Sequence, residues 1–509
     1  MKLLILLLSV LLLPVLSGET FQIGTSKKSN LFAPSETLVF TVKNAPAASI
    51  KYQITNYLGK VLASGEAKMA NGAGAISLKP QASWGKRYLV LKVGDYQLPF
   101  AIIPERKSAK GGDDRFGGWI ERNEMEACVR LGFTTSYPHW NILKTRGKNL
   151  RFPKKYDMTL ATNYTVAPLS YNYRKHWKDL TTVRNLMKTP KVASFPKRVE
   201  EYIAYAWKQG LKRTSDSFSG EYCFFDTIKS DNLRDQHRIF YAAAKKAAPD
   251  FKVGLGLFMA YGASSLKCVL VGTTPQNFKF DYVGYDVCGI GDGIENFLKS
   301  EIKIMEKWGR RVPQWVCEIW GSSWEDREAA ASVSRIYGAC LGLNCVEIDW
   351  HAITSKYETK AEWEAARKQK KIPTVFLPKF SQAFFRGKRY LPTQSVIAFY
   401  HVYDKLSFAR PVGEIKEDVN LASYQFRKKD GSYVTMFWTR RYPASITLNS
   451  KEKTLVFTDY MGESAQKKQV KGGAVTFSLR SYPVFVESKA KLQIKGQKIL
   501  TRNWYKNKD

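Results

Sequence analysis

The stretch VPQWVCEIWGSSW, residues 312–324, points most directly to the fold. Its first residues are mainly apolar, with the length of one buried strand, and they end in a single carboxylate, Glu318. Aromatic and small residues follow, among them Trp320 and Trp324. A lone carboxylate directly after a buried strand is typical of a catalytic position at the C-terminal end of a barrel strand. If Glu318 occupies such a position, the sequence on both sides of it should have the pattern of a (β/α) barrel.

Strand and helix patterns alternate on both sides of this stretch. Helical stripes separate the strands, such as the apolar face of Val199, Tyr202 and Ile203, which stops at Gly210. Besides the Glu318 strand, the predicted strands are 116–120, 133–140, 165–169, 218–226, 253–258, 280–286 and 345–350. Eight alternations over about 240 residues predict a (β/α)8 TIM barrel, which we place at residues 105–390.

Short alternating apolar runs flank the barrel region, punctuated by Asn, Gly and Pro. They predict an N-terminal Ig-like β-sandwich at residues 18–104 and a C-terminal β-sandwich at residues 391–488. The pattern returns to β structure from about Val396, and residues 489–509 are expected to form a loosely held basic tail. The predicted class is α/β, with a TIM barrel between two β-sandwiches.

Residues 1–17 have the pattern of a secretory signal peptide. Lys2 provides a basic start, an apolar run extends from Leu3 to Leu16, and cleavage is expected before Gly18. No stretch reaches about 18 apolar residues, so we expect no stable membrane insertion. The seven cysteines form no CxxC pair, which indicates buried thiols and not a disulfide framework. We expect export to the periplasm or the extracellular space.

The chain carries a formal net charge of +35, from 80 Lys and Arg against 45 Asp and Glu. Nucleic acid is the usual partner of such a charge. The basic residues are dispersed, however, and no nucleic-acid-binding motif is present, so no nucleic acid partner is expected. An anionic polysaccharide, sulfated or uronic, fits an exported basic protein better. A solvated basic surface without a specific partner is the alternative.

Four short stretches occur in a characteristic order along the chain. They are LGFTTSYPHW at 131–140, followed by Gly147 and YD at 156–157; FDYVGY at 280–285; a helix, a G-x-x-x-P turn and the Glu318 strand at 305–321; and DYMG at 459–462, followed by SYPVFV at 481–486. In this order they resemble the clan A retaining glycoside hydrolases of the β-xylosidase and β-galactosidase type. The resemblance covers residues 110–488 in outline. It implies a carbohydrate substrate and no cofactor.

The resemblance implies a double displacement, in which one carboxylate attacks the anomeric carbon and a second protonates the leaving oxygen, then activates water. Glu318 matches the nucleophile. The family's Asn-Glu-Pro motif at the end of the fourth strand is absent, and SGEYCFFDTI stands at 219–228. Position favours Asp226 as the acid/base, whereas side-chain length and residue type favour Glu221. If neither serves, the mechanism differs or the activity is lost.

Further residues at predicted strand ends are expected to line the barrel mouth and contact the sugar. These substrate-binding candidates are His139, Trp140, Tyr171, Asn172, Tyr285, Trp320 and Trp350. Tyr285 is placed to hydrogen-bond the nucleophile and keep it ionised. Trp350 is the preferred platform for a sugar ring, with core packing as the alternative for each Trp. Glu347 is expected to be buried in strand eight or paired with a base.

The sequence contains no motif for a metal site. The five His are scattered, with no HExxH motif and no Cys/His cluster, so the sequence predicts no metal site and no cofactor. Two alternatives to the retaining hydrolase stay open. One is a carbohydrate-binding protein on a catalytically inactive barrel, favoured by the missing Asn-Glu-Pro motif. The other is a barrel hydrolase that uses Asp226 with Asp286 or Asp349.

Overall fold

The computed structural model describes residues 21–136, 150–165, 194–217, 230–259, 265–287, 291–321, 323, 325–351, 353–370, 383–463 and 465–500. Along these residues an N-terminal β region, a central barrel with helices and a C-terminal β region follow one another. The predicted fold class is confirmed.

The N-terminal region is a sandwich of two sheets. Its strands are β1 (Gln22–Gly24), β2 (Leu31–Phe32), β3 (Leu38–Lys43), β4 (Ser49–Asn56), β5 (Val61–Lys68), β6 (Gly74–Leu78), β7 (Arg87–Val93) and β8 (Tyr96–Ile102). One sheet has the order β1-β3-β6 and the other β2-β8-β7-β4-β5. Burial alternates along β3, where Leu38, Phe40 and Val42 face the shared core and the residues between them are exposed.

Eight parallel strands close the central barrel. They are β9 (Phe116–Gly118), β10 (Thr135–Ser136), β11 (Thr159–Thr165), β12 (Leu211–Ser217), β13 (Lys252–Met259), β14 (Tyr282–Asp286), β15 (Gln314–Ile319) and β16 (Cys345–Trp350). The last strand pairs with the first, and Trp350 lies opposite Gly118. The Glu318 strand is the seventh, as the sequence predicted.

Helices follow the barrel strands and cover their outer face. The described helices are α1 (Met125–Leu131), α2 (Arg151–Lys155), α3 (Phe195–Lys208), α4 (Ser230–Ala247), α5 (Ser265–Leu270), α6 (Ile294–Trp308), α7 (Asp326–Gly342), α8 (Lys360–Lys370) and α9 (Gln394–Leu406). Gly309 ends α6 at a left-handed φ of 98°, a conformation that glycine adopts without steric cost. The apolar stripe predicted for α3 is buried against the barrel.

Two predicted barrel strands are misplaced. The third strand begins at Thr159, not Thr165, and the fourth begins at Leu211, not Phe218. Both strands are poor in apolar residues, and β12 has the sequence LKRTSDS. Apolar periodicity disappears where the barrel interior is itself polar, and the next apolar run along the chain then has the stronger strand pattern. Asp226 and the rest of the predicted strand 218–226 lie outside the described residues.

The expected return to β structure at Val396 is wrong, because Gln394–Leu406 is helix α9. Its residues Val396, Phe399 and Val402 are three apart and fully buried. This helix packs against α7 and α1 and so belongs to the helical layer of the barrel. The barrel's helical layer consequently extends beyond residue 390. Before α9, a small sheet joins β17 (Thr354–Ser355), β18 (Phe385–Arg386) and β19 (Leu391–Pro392).

Two sheets form the C-terminal sandwich. Its strands are β20 (Arg410–Glu414), β21 (Leu421–Arg427), β22 (Tyr433–Thr439), β23 (Ala444–Asn449), β24 (Thr454–Asp459), β25 (Gln466–Gln469), β26 (Ala474–Leu479), β27 (Val484–Ser488) and β28 (Gln493–Ile499). The sheet orders are β20-β21-β22-β27-β24-β25 and β26-β23-β28. The basic tail expected from residue 489 is wrong for β28, which pairs antiparallel with β23.

Five cysteines lie in the described part of the chain, and all five are free thiols. Cys128, Cys317, Cys340 and Cys345 are buried, and Cys268 is exposed. Within the described ranges, no helix combines the length and the apolar character needed to cross a lipid bilayer.

Candidate functional site

Glu318 lies at the C-terminal end of β15, in the position that the sequence predicted. Before it, Trp315 and Cys317 pack with Tyr282 in the barrel interior, whereas Val316 joins the core between strands and helices. The pairing of β15 with β16 slips after Val316, so regular alternation ends just before Glu318. Its side chain keeps 13% exposure, while Val316 and Cys317 have none. Glu318 is therefore the residue of β15 whose side chain keeps contact with solvent.

The imidazole of His351, the residue after β16, lies beside the Glu318 carboxylate. His351 Nδ1 lies 3.2 Å from Glu318 Oε1. The backbone N–H of His351 donates to the carbonyl of Ile319 at 3.0 Å, which continues the pairing of β15 with β16 by one residue. The main chain of His351 is thus fixed on the residue beside Glu318. With 6% exposure, its imidazole is shielded from water, so solvent weakens the contact little.

Two tryptophans enclose the imidazole of His351. The ring of Trp119 lies edge-on to it, with centroids 4.6 Å apart and an interplanar angle of 87°. The ring of Trp320 lies on another side, with centroids 5.5 Å apart. The sequence predicted Trp320 at this mouth, and its side chain is 3% exposed. The predicted aromatic wall beside Glu318 therefore includes Trp119, a residue that the sequence analysis did not select.

Trp119 directly follows strand β9 and lies over the side chains that are packed inside the barrel. It packs on Tyr282, Trp315 and Cys317, the apolar cluster inside the barrel, and it is partly exposed. Its indole Nε1–H donates to the carbonyl of Cys317 at 2.6 Å. A signal was present in the sequence, because Trp119 comes directly after two glycines at the end of the first predicted strand. The predicted strand 116–120 includes Trp119, whereas the observed strand ends at Gly118 and leaves Trp119 directly after it.

Asp286 stands beside Glu318 at the end of β14. The two residues are register partners across β14 and β15, and Asp286 is 6% exposed. Adjacent strands lie about 4.8 Å apart, so both carboxyl groups start from neighbouring positions of the same rim. Their charges both act on the thiol of Cys317, whose pKa is raised mainly by burial and further by Asp286 and Glu318. The mouth thus contains a second acidic residue next to Glu318.

A charged network fills the barrel below this mouth. Arg213 forms an ion pair with Glu347, and the indole Nε1–H of Trp315 donates to Asp349 Oδ2 at 2.7 Å. Burial raises the pKa of Glu347 to about 7, against the opposing effect of Arg213. Burial, followed by the charge of Glu347, raises the pKa of Asp349 well above its usual range. Glu347 is buried and paired with a base, which confirms its predicted structural role.

Asp349 is not available for chemistry at the mouth. Its side chain has no exposed surface, and it shares the interior with Glu347. A Cβ at Gly117 would collide with its Oδ1, so the backbone of β9 closes the space around it. The proposed use of Asp349 as one of two catalytic carboxylates is therefore wrong. Asp286 remains from that alternative.

Two predicted substrate contacts point away from the mouth. Tyr285 is fully buried against Phe297 of α6, so it contacts the helical layer and not Glu318. Trp350 is also fully buried, stacked on Tyr337 of α7 with Phe384 nearby. Alternation along β14 and β16 places both rings on the outer face of the barrel. Tyr285 as the partner of the nucleophile and Trp350 as the sugar platform are both wrong.

The remaining candidates lie outside the described residues. These are Glu221, Asp226, His139, Trp140, Tyr171, Asn172 and Trp324. Within the part of the chain that is described, no group of three or more His, Cys, Asp or Glu side chains could hold a metal ion. The described site thus consists of Glu318, with His351 and Asp286 beside it, and of Trp119 and Trp320, whose rings contact that of His351.

Comparison with known proteins finds similarity at the level of the fold. No protein-family model matches the chain, and no curated protein matches it. A family 39 glycoside hydrolase from the gut symbiont Bacteroides cellulosilyticus WH2 matches with a TM-score of 0.59 at 14% identity, over 92% of this chain and 100% of that chain.

Two further solved structures match less closely. A family 30 subfamily 8 xylanase from Clostridium acetobutylicum has a TM-score of 0.47 at 11% identity, over 75% of this chain and 97% of that chain. A family 30 endoxylanase from Clostridium papyrosolvens C71 has a TM-score of 0.44 at 11% identity, over 75% of this chain and 98% of that chain. The family 39 structure shows that the chain shares the fold of a glycoside hydrolase along nearly its whole length, which confirms the fold that the resemblance implied.

Proposed function

We propose that the protein is a glycoside hydrolase that cleaves glycosidic bonds with retention of anomeric configuration. The observation that carries this proposal is Glu318 itself, an accessible carboxylate at the end of the seventh strand of a closed parallel barrel. His351 contacts it, and two tryptophans wall the same space. Catalytic residues of such barrels sit at this end of the strands.

Glu318 is the nucleophile in this proposal. Its carboxylate attacks the anomeric carbon, the bond to the leaving oxygen breaks, and a covalent glycosyl ester forms on the side chain. A second carboxyl group gives its proton to the leaving oxygen. It then takes a proton from water, whose oxygen attacks the anomeric carbon and releases the Glu318 carboxylate.

The second carboxyl group has three candidates. Glu221 and Asp226 belong to the segment that follows β12, and that segment lies outside the described residues. Asp286 belongs to the described mouth as the register partner of Glu318. A retaining pair requires carboxyl groups about 5–5.5 Å apart.

Export and an anionic substrate belong to the same proposal. The N-terminal signal pattern supports export, and the net charge of +35 supports attraction of a sulfated or uronic polysaccharide. Such attraction acts over the whole surface and weakens with salt. We therefore expect hydrolysis of an anionic glycan to fall with rising ionic strength more steeply than hydrolysis of a neutral aryl glycoside.

The decisive experiment replaces Glu318. The parent and Glu318→Gln proteins are incubated with a panel of aryl β-glycosides, and the released phenol is measured. We expect turnover by the parent and none by Glu318→Gln. Glu306→Gln, on the exposed side of α6, is the matched control and should behave as the parent. Addition of azide to Glu318→Ala should restore phenol release and give the glycosyl azide of inverted configuration, because azide replaces the missing nucleophile.

Each result has a defined meaning. Equal turnover by the parent and Glu318→Gln would refute the assigned nucleophile. Sugar binding by both proteins with turnover by neither would favour the carbohydrate-binding alternative, which the missing Asn-Glu-Pro motif supports. Glu221→Ala, Asp226→Ala and Asp286→Ala then identify the acid/base. Only the variant that lacks the acid/base should regain turnover with azide and give a glycosyl azide of retained configuration, because azide enters the space of the missing carboxyl group and attacks the glycosyl ester on Glu318.

A further inference from the structure

We propose that a cavity between the barrel and the C-terminal sandwich is a second glycan-binding site, which takes a segment of an acidic oligosaccharide. The cavity has a volume of about 970 Å³, within the range of about 300–1,000 Å³ that is usual for ligand sites. Its described lining contains neither Glu318 nor His351. The proposal rests on the proposed function in that it takes a glycan as the ligand. It adds a second site and a preference for an acidic chain.

One wall of the cavity is formed by segments that leave the barrel mouth. Asp292 follows Asp286, the last residue of β14, by six positions, and Glu328 lies in the first turn of α7, which comes after β15. The opposite wall belongs to the C-terminal sandwich and includes Val419 and Trp438. Parallel barrel strands have their carboxyl ends on one side, so this part of the cavity lies on the side that carries Glu318. A long glycan can therefore extend from the mouth into the cavity.

Most charged groups of the lining are already compensated by one another. Three of its cations form ion pairs with carboxylates of the barrel and the sandwich. The pairs are Arg440 and Lys299 with Glu295 and Glu414, and Arg335 with Asp292 and Glu328. Compensated cations such as these hold the sandwich on the barrel and offer little net charge to a ligand.

Two cations of the lining remain for a ligand. The side chains of Lys303, on α6, and Arg441, directly after β22, are exposed, and neither forms an ion pair within the described ranges. The one lining carboxylate in the same situation is that of Glu417. The uncompensated charge of the described lining is thus positive. A carboxylate or sulfate group accepts hydrogen bonds from Lys and Arg and matches this charge.

The other exposed groups of the lining suit sugar hydroxyls, which both donate and accept hydrogen bonds. The carboxylates of Asp292 and Glu328 keep 47% and 37% exposure, so they can accept further bonds beside their ion pairs. The exposed amide of Asn296 both donates and accepts. Val419, with 84% exposure, offers an apolar contact for the C–H groups of a sugar ring. An acidic group together with many hydroxyls is the chemistry of an acidic glycan.

The test measures binding at the cavity in the Glu318→Gln protein. The acidic probes are hexagalacturonate and a chondroitin sulfate hexasaccharide, and the neutral probes are xylohexaose and cellohexaose. Amide hydrogen exchange of residues 293–303 and 417–421, followed during titration, gives a dissociation constant for the cavity separately from the mouth. We expect an acidic probe to slow exchange in both segments and to bind more tightly than the neutral probes.

Paired variants separate this site from the overall positive charge. Lys303→Met combined with Arg441→Met should raise the dissociation constant of the acidic probe about tenfold, because two charge contacts are lost. Lys208→Met combined with Lys252→Met removes two exposed cations outside the cavity lining and should leave the constant unchanged. Ser300→Trp obstructs the cavity at constant charge and should weaken binding by at least as much. Thermal unfolding checks that each variant is folded.

The outcomes distinguish this proposal from the proposed hydrolysis. Equal weakening by the two double variants overturns the site, and so does unchanged exchange of both segments with all four probes. Neutral probes that bind as tightly as the acidic ones overturn the proposal as stated. Cavity binding with no turnover of aryl glycosides by the unaltered protein supports the site while hydrolysis fails. Turnover without cavity binding supports hydrolysis and overturns the site.

Discussion

Arg213 of β12 and Glu347 of β16 form an ion pair inside the barrel. Their strands are the fourth and the eighth of the closed sheet, so the pair joins opposite sides of the barrel. The side chain of Glu347 has no exposed surface, and that of Arg213 keeps 15%. Removal of one partner of a buried ion pair strongly lowers the free energy of unfolding, because the charge of the other partner stays buried without compensation.

Replacement of Arg213 by Met should destabilise the barrel at neutral pH. The apolar side chain fills similar space but leaves the buried Glu347 without its cation, at an expected cost of about 3–5 kcal/mol in the free energy of unfolding. This loss of unfolding free energy is measured by guanidinium unfolding followed by tryptophan fluorescence, with the buried Trp315 as a reporter. The control is Arg238→Met, whose pair with Asp235 is exposed on α4 and contributes about 0–1 kcal/mol. Equal costs for the two variants would contradict a compensating role of Arg213.

The carboxyl pair Glu347 and Asp349 should make the fold less stable as the pH rises. Both pKa values are raised in the folded protein, to about 7 for Glu347, so the folded state binds more protons than the unfolded state. Both contributions are fully present below the unfolded pKa values of about 4. That of Glu347 is lost as the pH rises through about 7, and that of Asp349 is lost as the pH rises toward its raised pKa.

The variant Asp349→Asn removes one of these titrations and keeps an oxygen for the indole of Trp315. The decrease in unfolding free energy between pH 5 and pH 8 should therefore be smaller in Asp349→Asn than in the parent. Asp235→Asn on the exposed side of α4 serves as control and should follow the parent curve. Superimposable curves for Asp349→Asn and the parent would show that Asp349 does not hold the extra proton.

His351 should act on turnover through the position of Glu318. Without the imidazole, whose Nδ1 lies 3.2 Å from Oε1, the Glu318 carboxylate loses a neighbour that limits the positions it can take. We expect His351→Ala to lower kcat about 10- to 100-fold with little change in KM, because small displacements of a reacting group cost rate more than binding. His351→Asn, whose amide nitrogen lies near the place of Nδ1, should recover part of the loss.

The matched control for His351 is His237→Gln, a buried histidine of α4 that contacts the carbonyl of Lys279. It should leave kcat unchanged. A fall in kcat that is equal for His351→Ala and His351→Asn and is accompanied by an equal fall in thermal stability would indicate a packing role for His351 instead.

Gly342 should resist replacement by Ala, although it belongs to a helix. A Cβ at this residue would lie 2.6 Å from Cγ of Tyr424, which packs on α7 from the C-terminal sandwich. The hydroxyl of Tyr424 donates to Glu295 at 2.6 Å, so the ring cannot move aside freely. Overpacking costs about 1–3 kcal/mol, more than the helix propensity of about 1 kcal/mol that Ala gains over Gly.

The comparison for Gly342→Ala is Gly338→Ala, one turn earlier in the same helix. There the nearest atoms, at 2.8 Å, belong to the flexible thioether of Met436, which can rotate away. We expect a lower thermal midpoint for Gly342→Ala and little change or a gain for Gly338→Ala. Equal midpoints for the two variants would show that Tyr424 accommodates the methyl group.

Local sequence patterns were sufficient for most of the barrel. Strands such as β15 and β16 have apolar runs of the right length, and helix α3 has an apolar stripe that is buried as predicted. The pattern failed at β12, because the inward Arg213 is compensated by Glu347, which is 134 positions further along the chain. A polar pair across a barrel cannot be recognised from either strand alone.

The sequence by itself determined the succession of sandwich, barrel and sandwich and placed Glu318 at the end of the seventh strand. Both follow from local periodicity, which is a property of neighbouring residues. Only the tertiary structure decided which aromatic ring faces the mouth. Trp350 turns outward while Trp119 covers the barrel interior, because strand register and the slip after Val316 set these directions. Register arises from pairing between strands that are distant in sequence, so one strand's own residues do not reveal it.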